Sequence, residues 1–281
     1  MLPVALALAS AALFGGMTVA VRVALLRHPG AALGAAATVV SALAVAFVAA
    51  GSEAARGETD LSGTWVFALA GILAPGGSQI LFTLAIRDAG ASRASVAVGA
   101  APLVSVAIAL AVLGEPARPL LVAGALLVVA GGLALALDRR RPDDVRAVGL
   151  LYAAAATVLF ATRDNLVRSF SDGDVPPSTA MATTLLVGLV FALAFARGVP
   201  SWQRVVAFAP AGLCFGLSYV CLFEAFFHGR VSVVAPLVAT ESLWGVGFSA
   251  LFLRRTELVG KRLLLGAALI VAGGVLIGLG R

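Results

Sequence analysis

Glu241 stands in VAPLVATESLWGVGF, with no charged residue nearer in sequence than Arg230 and Arg254. An ionisable group in hydrocarbon costs at least about 2.5–3.5 kcal/mol on insertion scales, so such residues face a cavity or a partner. A carboxylate there can bind a substrate amine or carry a proton; it can equally serve as a structural hydrogen-bond acceptor between helices. Glu224, in YVCLFEAFFHG, precedes His228 by four residues and shares a helix face with it. It reads either as a second functional carboxylate or as an end-of-helix ion pair. Arg22 lies five residues before Arg27, which sets it about 7.5 Å deeper than that interfacial arginine. It either snorkels to the interface or binds an anionic group. Arg163 and Asp164 are neighbours in sequence, and neighbours on a helix do not share a face. One is expected to point inward while the other seeks a headgroup or another helix.

Other residues in the apolar runs suit a cavity wall. Gln79 and Asn165 each donate and accept hydrogen bonds. Tyr219 and Trp244 offer aromatic faces, and Trp244, three residues after Glu241, lies on nearly the same helix face. Pro102 and Pro236 interrupt two runs, and a proline removes an intrahelical hydrogen bond and permits a kink. These kinks either gate or are static bends.

Several chemistries lack their residues. The sequence holds no GxxxxGK[ST], no HExxH and no GxSxG, which argues against an enzyme and against a pump driven by ATP on this chain. Cys214 and Cys221, seven residues apart in one run, cannot bridge within a straight helix and read as small apolar fillers. No metal-ligand cluster is visible, so no metal and no cofactor is expected.

The elements that must hold these residues are set by composition. The chain of 281 residues is 61% hydrophobic and only 12% charged, with a mean hydropathy of +1.05. Soluble chains run at about 45–50% apolar and about 25% charged, so a soluble core could not absorb this excess. A lipid bilayer as outer solvent can. A spanning helix needs about 20 mainly apolar residues. Ten runs qualify, at 3–26, 31–50, 63–86, 91–113, 118–137, 146–168, 178–196, 203–227, 231–253 and 260–280. A membrane β-barrel needs alternating segments of about 10 residues, and these runs are continuous and longer. The expected fold class is an all-α polytopic membrane protein with ten transmembrane helices. The N-terminal run lacks a basic leader and is longer than a signal peptide's apolar segment, so it reads as a retained first helix.

The chain also repeats itself. GALLVVAGG at 124–132 matches GAALIVAGG at 266–274, and Glu115 falls on Glu257. VRVALLR at 21–27 lies over TRDNLVR at 162–168, pairing Arg22 with Arg163 and Arg27 with Arg168. This divides the chain into 1–140 and 141–281 with five helices each. An odd number per half sends the second copy into the membrane from the opposite side. Inverted repeats are a common basis for alternating access, with a site near mid-membrane at their interface. DRRRPDD at 138–144 reads as the polar linker between halves; its aspartates argue against a nucleic-acid patch.

The stretches AAPLVSVAIALAVLGEP at 100–116 and LLVAGALLVVAGG at 120–132, with VSVVAPLVATESLWGVGFSALFLRRTE at 231–257 and LLLGAALIVAGG at 263–274, resemble the ten-helix members of the drug/metabolite transporter superfamily that carry two EamA-type repeats. The resemblance covers nearly the whole chain. It implies helices around a central cavity and movement of small metabolites such as amino acids, often coupled to protons or another ion or run as exchange. The family's Gly-Glu turn falls on Gly114 and Glu115; Glu257 matches in the second half, where Thr256 replaces the glycine. The expectation is a secondary transporter, more often an exporter, in the cell inner (plasma) membrane, with a small-molecule substrate and no nucleic acid. The alternative is a non-transporting membrane scaffold or sensor with a duplicated helical fold. Oligomeric state is not legible.

Most of the 20 basic residues, among them Arg27, Arg87, Arg139, Arg197 and Arg204, fall beside the connections after the odd-numbered runs. The positive-inside rule puts those connections in the cytoplasm, and an even number of spans then puts both termini outside. The family resemblance implies the opposite, with termini in the cytoplasm; we follow the charge count. A C-terminal alkaline phosphatase fusion is expected to be active and a fluorescent-protein fusion dark. A bright, phosphatase-inactive pair reverses the orientation.

Overall fold

A computed structural model of the chain describes residues 2–57, 60–101, 103–104, 118–136, 146–171, 173–229, 234, 237–253 and 260–279. Pro102, Pro236, the Gly114–Glu115 turn, Thr256, Glu257 and the 138–144 linker lie outside them. The described residues form helices and contain no strand. In chain order these are α1 Leu2–Arg27, α2 Ala31–Ala55 and α3 Thr64–Gly71, the last leading through a wide turn at Ile72–Gly77 into α4 Ser78–Ala89. They continue with α5 Ala91–Val98, α6 Pro119–Ala136, α7 Val148–Ser169, α8 Pro177–Ala196, α9 Trp202–His228, α10 Glu241–Phe252 and α11 Lys261–Leu279.

Six of these segments are long and apolar enough to cross a membrane: α1, α2, the composite Thr64–Ala89, α8, α9 and α11. In α7, Arg163, Asp164, Asn165 and Arg168 lower the hydropathy of a 22-residue helix. The described parts of the fourth and ninth runs are short, 8 residues in α5 and 12 in α10.

The third run departs from the expected continuous helix. Ala74 takes extended angles (φ −146°, ψ 120°) within the turn that holds Pro75. Proline lacks an N–H and pushes the residue before it out of the helical region. Pro210 also lies inside a helix, yet α9 runs through it unbroken. The ninth run departs too: Glu241, near the middle of the run 231–253, opens α10 after a turn at Ala239–Thr240.

Helix packing follows the repeat. The main pairs are α1 with α9, α4 with α7, α2 with α9, α8 with α3 and the wide turn, α2 with α8, α5 with α10, α6 with α11, α1 with α10, and α5 with α7. When the first five runs are exchanged with the last five, this set maps onto itself. The pair α1–α9 becomes α7–α4, and α1–α10 becomes α7–α5.

Individual glycines show the same exchange. Gly124 and Gly131 are the repeat partners of Gly266 and Gly273. A Cβ on Gly124 would lie 2.7 Å from the Gly273 carbonyl oxygen, and one on Gly131 2.7 Å from that of Gly266. The early glycine of one helix meets the late glycine of the other, so α6 and α11 run antiparallel, backbone against backbone. A second set swaps likewise: a Cβ on Gly212 would meet the Thr38 oxygen and Ala42 nitrogen, and one on Gly71 the Thr184 oxygen and Gly188 nitrogen. Lipid supplies no hydrophobic drive between helices, so such close approach is what holds them.

One tie between the halves has no repeat counterpart. Glu53, buried at the end of α2, accepts hydrogen bonds from the backbone N–H groups of Ser178 (2.9 Å) and Thr179 (3.1 Å). It caps the free N–H groups at the start of α8, where a negative charge also suits the helix dipole. The corresponding end of α8, ALAFARGVPS at 192–201, holds no carboxylate.

Replacing Gly273 with Ala places a Cβ 2.6 Å from the Gly124 oxygen and should destabilise the protein by about 1–3 kcal/mol, the range for overpacking. Gly51→Ala, with open space around it, should not. Thermal unfolding in detergent measures both, and equal stability of the two variants contradicts the backbone contact.

Candidate functional site

Four phenylalanines from α1, α4, α7 and α9 form the floor on which the site stands. Phe14 lies 5.3 Å from Phe82, 5.8 Å from Phe160 and 6.3 Å from Phe215, ring centre to ring centre. Phe215 in turn packs edge-on at 4.4 Å against Tyr219, one turn further along α9. This stack fixes the Tyr219 ring and leaves one face for a cation.

Arg163 takes that face. Its guanidinium carbon sits 4.6 Å from the Tyr219 ring centre, within the range of a cation–π contact. Both residues are almost fully buried, Arg163 at 2% and Tyr219 at 1% exposure. Asp164, one residue on, turns back toward it, with Nε–Oδ1 at 3.1 Å. The sequence spacing suggested that these neighbours diverge. Instead both side chains serve one cluster, since the long Arg163 stem carries its guanidinium across the 100° offset of adjacent positions to the short Asp164 side chain.

Glu241 completes the cluster from α10. It is 6% exposed and lies close enough to Arg163 and Asp164 for both charges to act on it, the arginine attracting and the aspartate repelling. With all three ionised, two acids face one base, an excess of one negative charge. Its place in the first turn of α10 sets the carboxylate beside the positive end of that helix.

The cluster is not satisfied internally. Arg163 Nε and Nη1, Asp164 Oδ1 and Tyr219 Oη are buried and have no hydrogen-bond partner. The 3.1 Å Arg163–Asp164 contact brings opposite charges together without hydrogen-bond alignment. Buried polar atoms in native proteins are nearly always paired, so four unpaired atoms on three adjacent side chains leave hydrogen-bonding capacity that a ligand could take up. Among the described residues, no group of three or more His, Cys, Asp and Glu side chains is arranged to hold a metal ion.

The remaining sequence-selected residues lie elsewhere. Arg22, the repeat partner of Arg163, donates from Nη1 to the carbonyls of Ile86 (3.3 Å) and Arg87 (3.0 Å). It closes the end of α4 instead of snorkelling. Glu224 pairs with His228 at 3.3 Å on a partly exposed helix end. Asn165 donates to the Ala161 carbonyl at 2.8 Å, one turn back in its own helix. Gln79 is fully buried between α4 and α1, with Nε2 3.9 Å from the Met17 sulfur. Trp244, expected on the Glu241 face, is 40% exposed and packs against Phe248 at 5.6 Å. Three helical positions leave the two residues about 60° apart, enough to put one inside and the other at the surface.

Sequence reasoning missed Glu53 and Arg93. Glu53 sits just past an apolar run, and Pro176-Pro177-Ser178 marks a helix start; only their pairing was hidden. Arg93, on α5, is 1% exposed and lies inside an apolar run, a signal available from the sequence.

Comparison with known proteins extends this picture. The family described as the EamA-like transporter family matches residues 1–137 and again residues 147–279. A solved structure, described as the crystal structure of a protein, superposes with a TM-score of 0.62 at 24% identity; the match covers 95% of this chain and 96% of that one. That likeness is one of fold. Among curated proteins nothing matches.

The Arg163–Tyr219 contact should appear as energetic coupling. In a double-mutant cycle of Arg163→Gln and Tyr219→Leu, read by thermal unfolding in detergent, the two effects should fall short of additivity by about 0.5–2 kcal/mol. Tyr219→Phe should keep that coupling. Full additivity contradicts the stacked geometry.

Proposed function

The chain belongs to the EamA-like transporter family, membrane transporters of the drug/metabolite transporter superfamily, and on that premise we propose that it is a secondary transporter exporting small polar or amphipathic metabolites such as amino acids. In this reading it has ten spans in two inverted five-helix repeats, 1–140 and 141–281, and is a multi-pass protein of the inner (plasma) membrane. The exchange of packing partners between the halves supports this architecture. An axis that swaps two antiparallel helices is perpendicular to both, and for spanning helices it lies in the membrane plane, as in transporters built from inverted repeats.

The observation that carries the reading is the buried cluster of Arg163, Asp164 and Tyr219, whose polar atoms are not satisfied internally, with the Glu241 carboxylate acting on it from α10. The two carboxylates suit an amine, the guanidinium suits a carboxylate, and the Tyr219 edge suits an apolar portion. A zwitterionic amino acid presents these groups together. The excess negative charge also suits coupling, since a proton or other cation can replace the substrate amine on Glu241 during the return step.

Reconstituted in liposomes, the chain should move radiolabelled members of a panel of amino acids and related metabolites. Glu241→Gln keeps shape and hydrogen bonding but removes the charge. It should lower flux about ten- to a hundredfold, the equivalent of one charged hydrogen bond of about 1.5–3 kcal/mol, with thermal stability maintained. Undiminished flux in that variant makes Glu241 structural. A folded native chain with no flux in either gradient direction favours the scaffold or sensor reading.

A further inference from the structure

Away from the buried cluster, α1, α9 and α10 enclose an open, apolar groove of about 610 Å³. Small residues create it. Ala12, Gly16 and Ala20 recur every fourth position along α1, on one helix face, opposite Cys214 of α9 and Phe248 of α10. On α1 the groove runs from Ala12 to Val23. At 1.5 Å per residue that is about 16 Å, close to half of a hydrocarbon core about 30 Å thick. The groove therefore has the depth of one leaflet.

Its walls are apolar along this length, but one end is charged. Arg27 lies one turn beyond Val23, and Arg204 one turn before Ala207, and both Val23 and Ala207 line the groove. Residues three or four apart on a helix share a face, so both arginines stand over the same mouth. The Arg204 guanidinium packs against Gly30 at the α1–α2 turn, 3.4 Å from where a Cβ would be. Its Nε is buried without a hydrogen-bond partner. Among the described residues neither Arg27 nor Arg204 takes part in an ion pair. Trp202, 77% exposed at this end of α9, is the kind of aromatic residue that anchors at headgroup depth.

We propose that this groove is a binding site for an anionic phospholipid, with one acyl chain between α1, α9 and α10 and the phosphate held by Arg27 and Arg204. An apolar trough excludes a polar metabolite along its length. Among the described residues, the positive charge at this end selects an amphiphile with an anionic head, and a depth of one leaflet selects a bilayer lipid. Phe248, on the wall, lies two turns from Glu241 on α10, so the lipid packs against the helix that carries the candidate site. This site is independent of which metabolite the protein moves.

Native mass spectrometry of the full chain in detergent tests it, with added phosphatidylglycerol or phosphatidylcholine of identical acyl chains. Phosphatidylglycerol should bind in preference to phosphatidylcholine. The double variant Arg27→Gln/Arg204→Gln should lose about thirtyfold in phosphatidylglycerol affinity and little for phosphatidylcholine, the loss expected for two basic residues near an anionic headgroup. Gly16→Leu, whose Cβ would meet nothing closer than 3.7 Å, should fill the groove and weaken both lipids. Glycerophosphoglycerol, the headgroup without chains, should not bind detectably. Equal retention of the two lipids, undiminished binding in either variant, or headgroup binding as tight as the whole lipid overturns the assignment. If the arginine variant fails to fold, the native lipid preference and Gly16→Leu still decide.

Discussion

A bilayer gives helices no hydrophobic reason to associate, because their apolar side chains are as well solvated by lipid as by one another. What remains is contact at close range and the pairing of polar groups. The fold answers the first need with glycine: at Gly124, Gly131, Gly71 and Gly212 one backbone lies where a side chain would stand. The rest of the arrangement depends on these crossings, since they set which helices touch and therefore which buried polar residues can meet. Glu53 answers the second need, by capping α8 from α2 across the junction between the halves.

The two halves use the same crossings but not the same charges. Arg22 and Arg163 occupy equivalent positions, yet Arg22 donates from Nη1 to the carbonyls that end α4, while Arg163 lies over the Tyr219 ring. The position equivalent to Tyr219 on the first copy is Ser78, which offers no ring. A repeated scaffold fixes geometry twice; a site for an asymmetric small molecule needs the two copies to differ. The proposed substrate site lies at such a departure from symmetry, at Arg163, Asp164, Tyr219 and Glu241.

Much of this was legible in the sequence. Helical class follows from run length, and the duplication from the spacing of GALLVVAGG and GAALIVAGG. Glu241, Arg163, Asp164 and Tyr219 each stood out as polar groups in apolar runs. Their convergence did not, because it depends on which helices cross, and glycine positions alone do not name their partners. Arg22 and Arg163 looked alike for the same reason: local sequence shows the charge but not the carbonyls waiting on α4. Trp244 shares nearly one face with Glu241 by its three-residue step, yet the 60° between them is enough to separate a buried position from an exposed one. Pro75 was legible as a helix breaker and was passed over in favour of Pro102 and Pro236, which lie outside the described residues.

The central claim is that substrate occupies the cluster at Glu241. A hydrophobic carbodiimide reacts with carboxyl groups in apolar surroundings, and peptide mass spectrometry locates the adduct. With any substrate that the liposome screen identifies, labelling of Glu241 should fall as substrate rises, with half-protection near the concentration that half-saturates transport, while labelling at Glu224 stays constant. Labelling of Glu241 that no transported substrate changes would contradict the account.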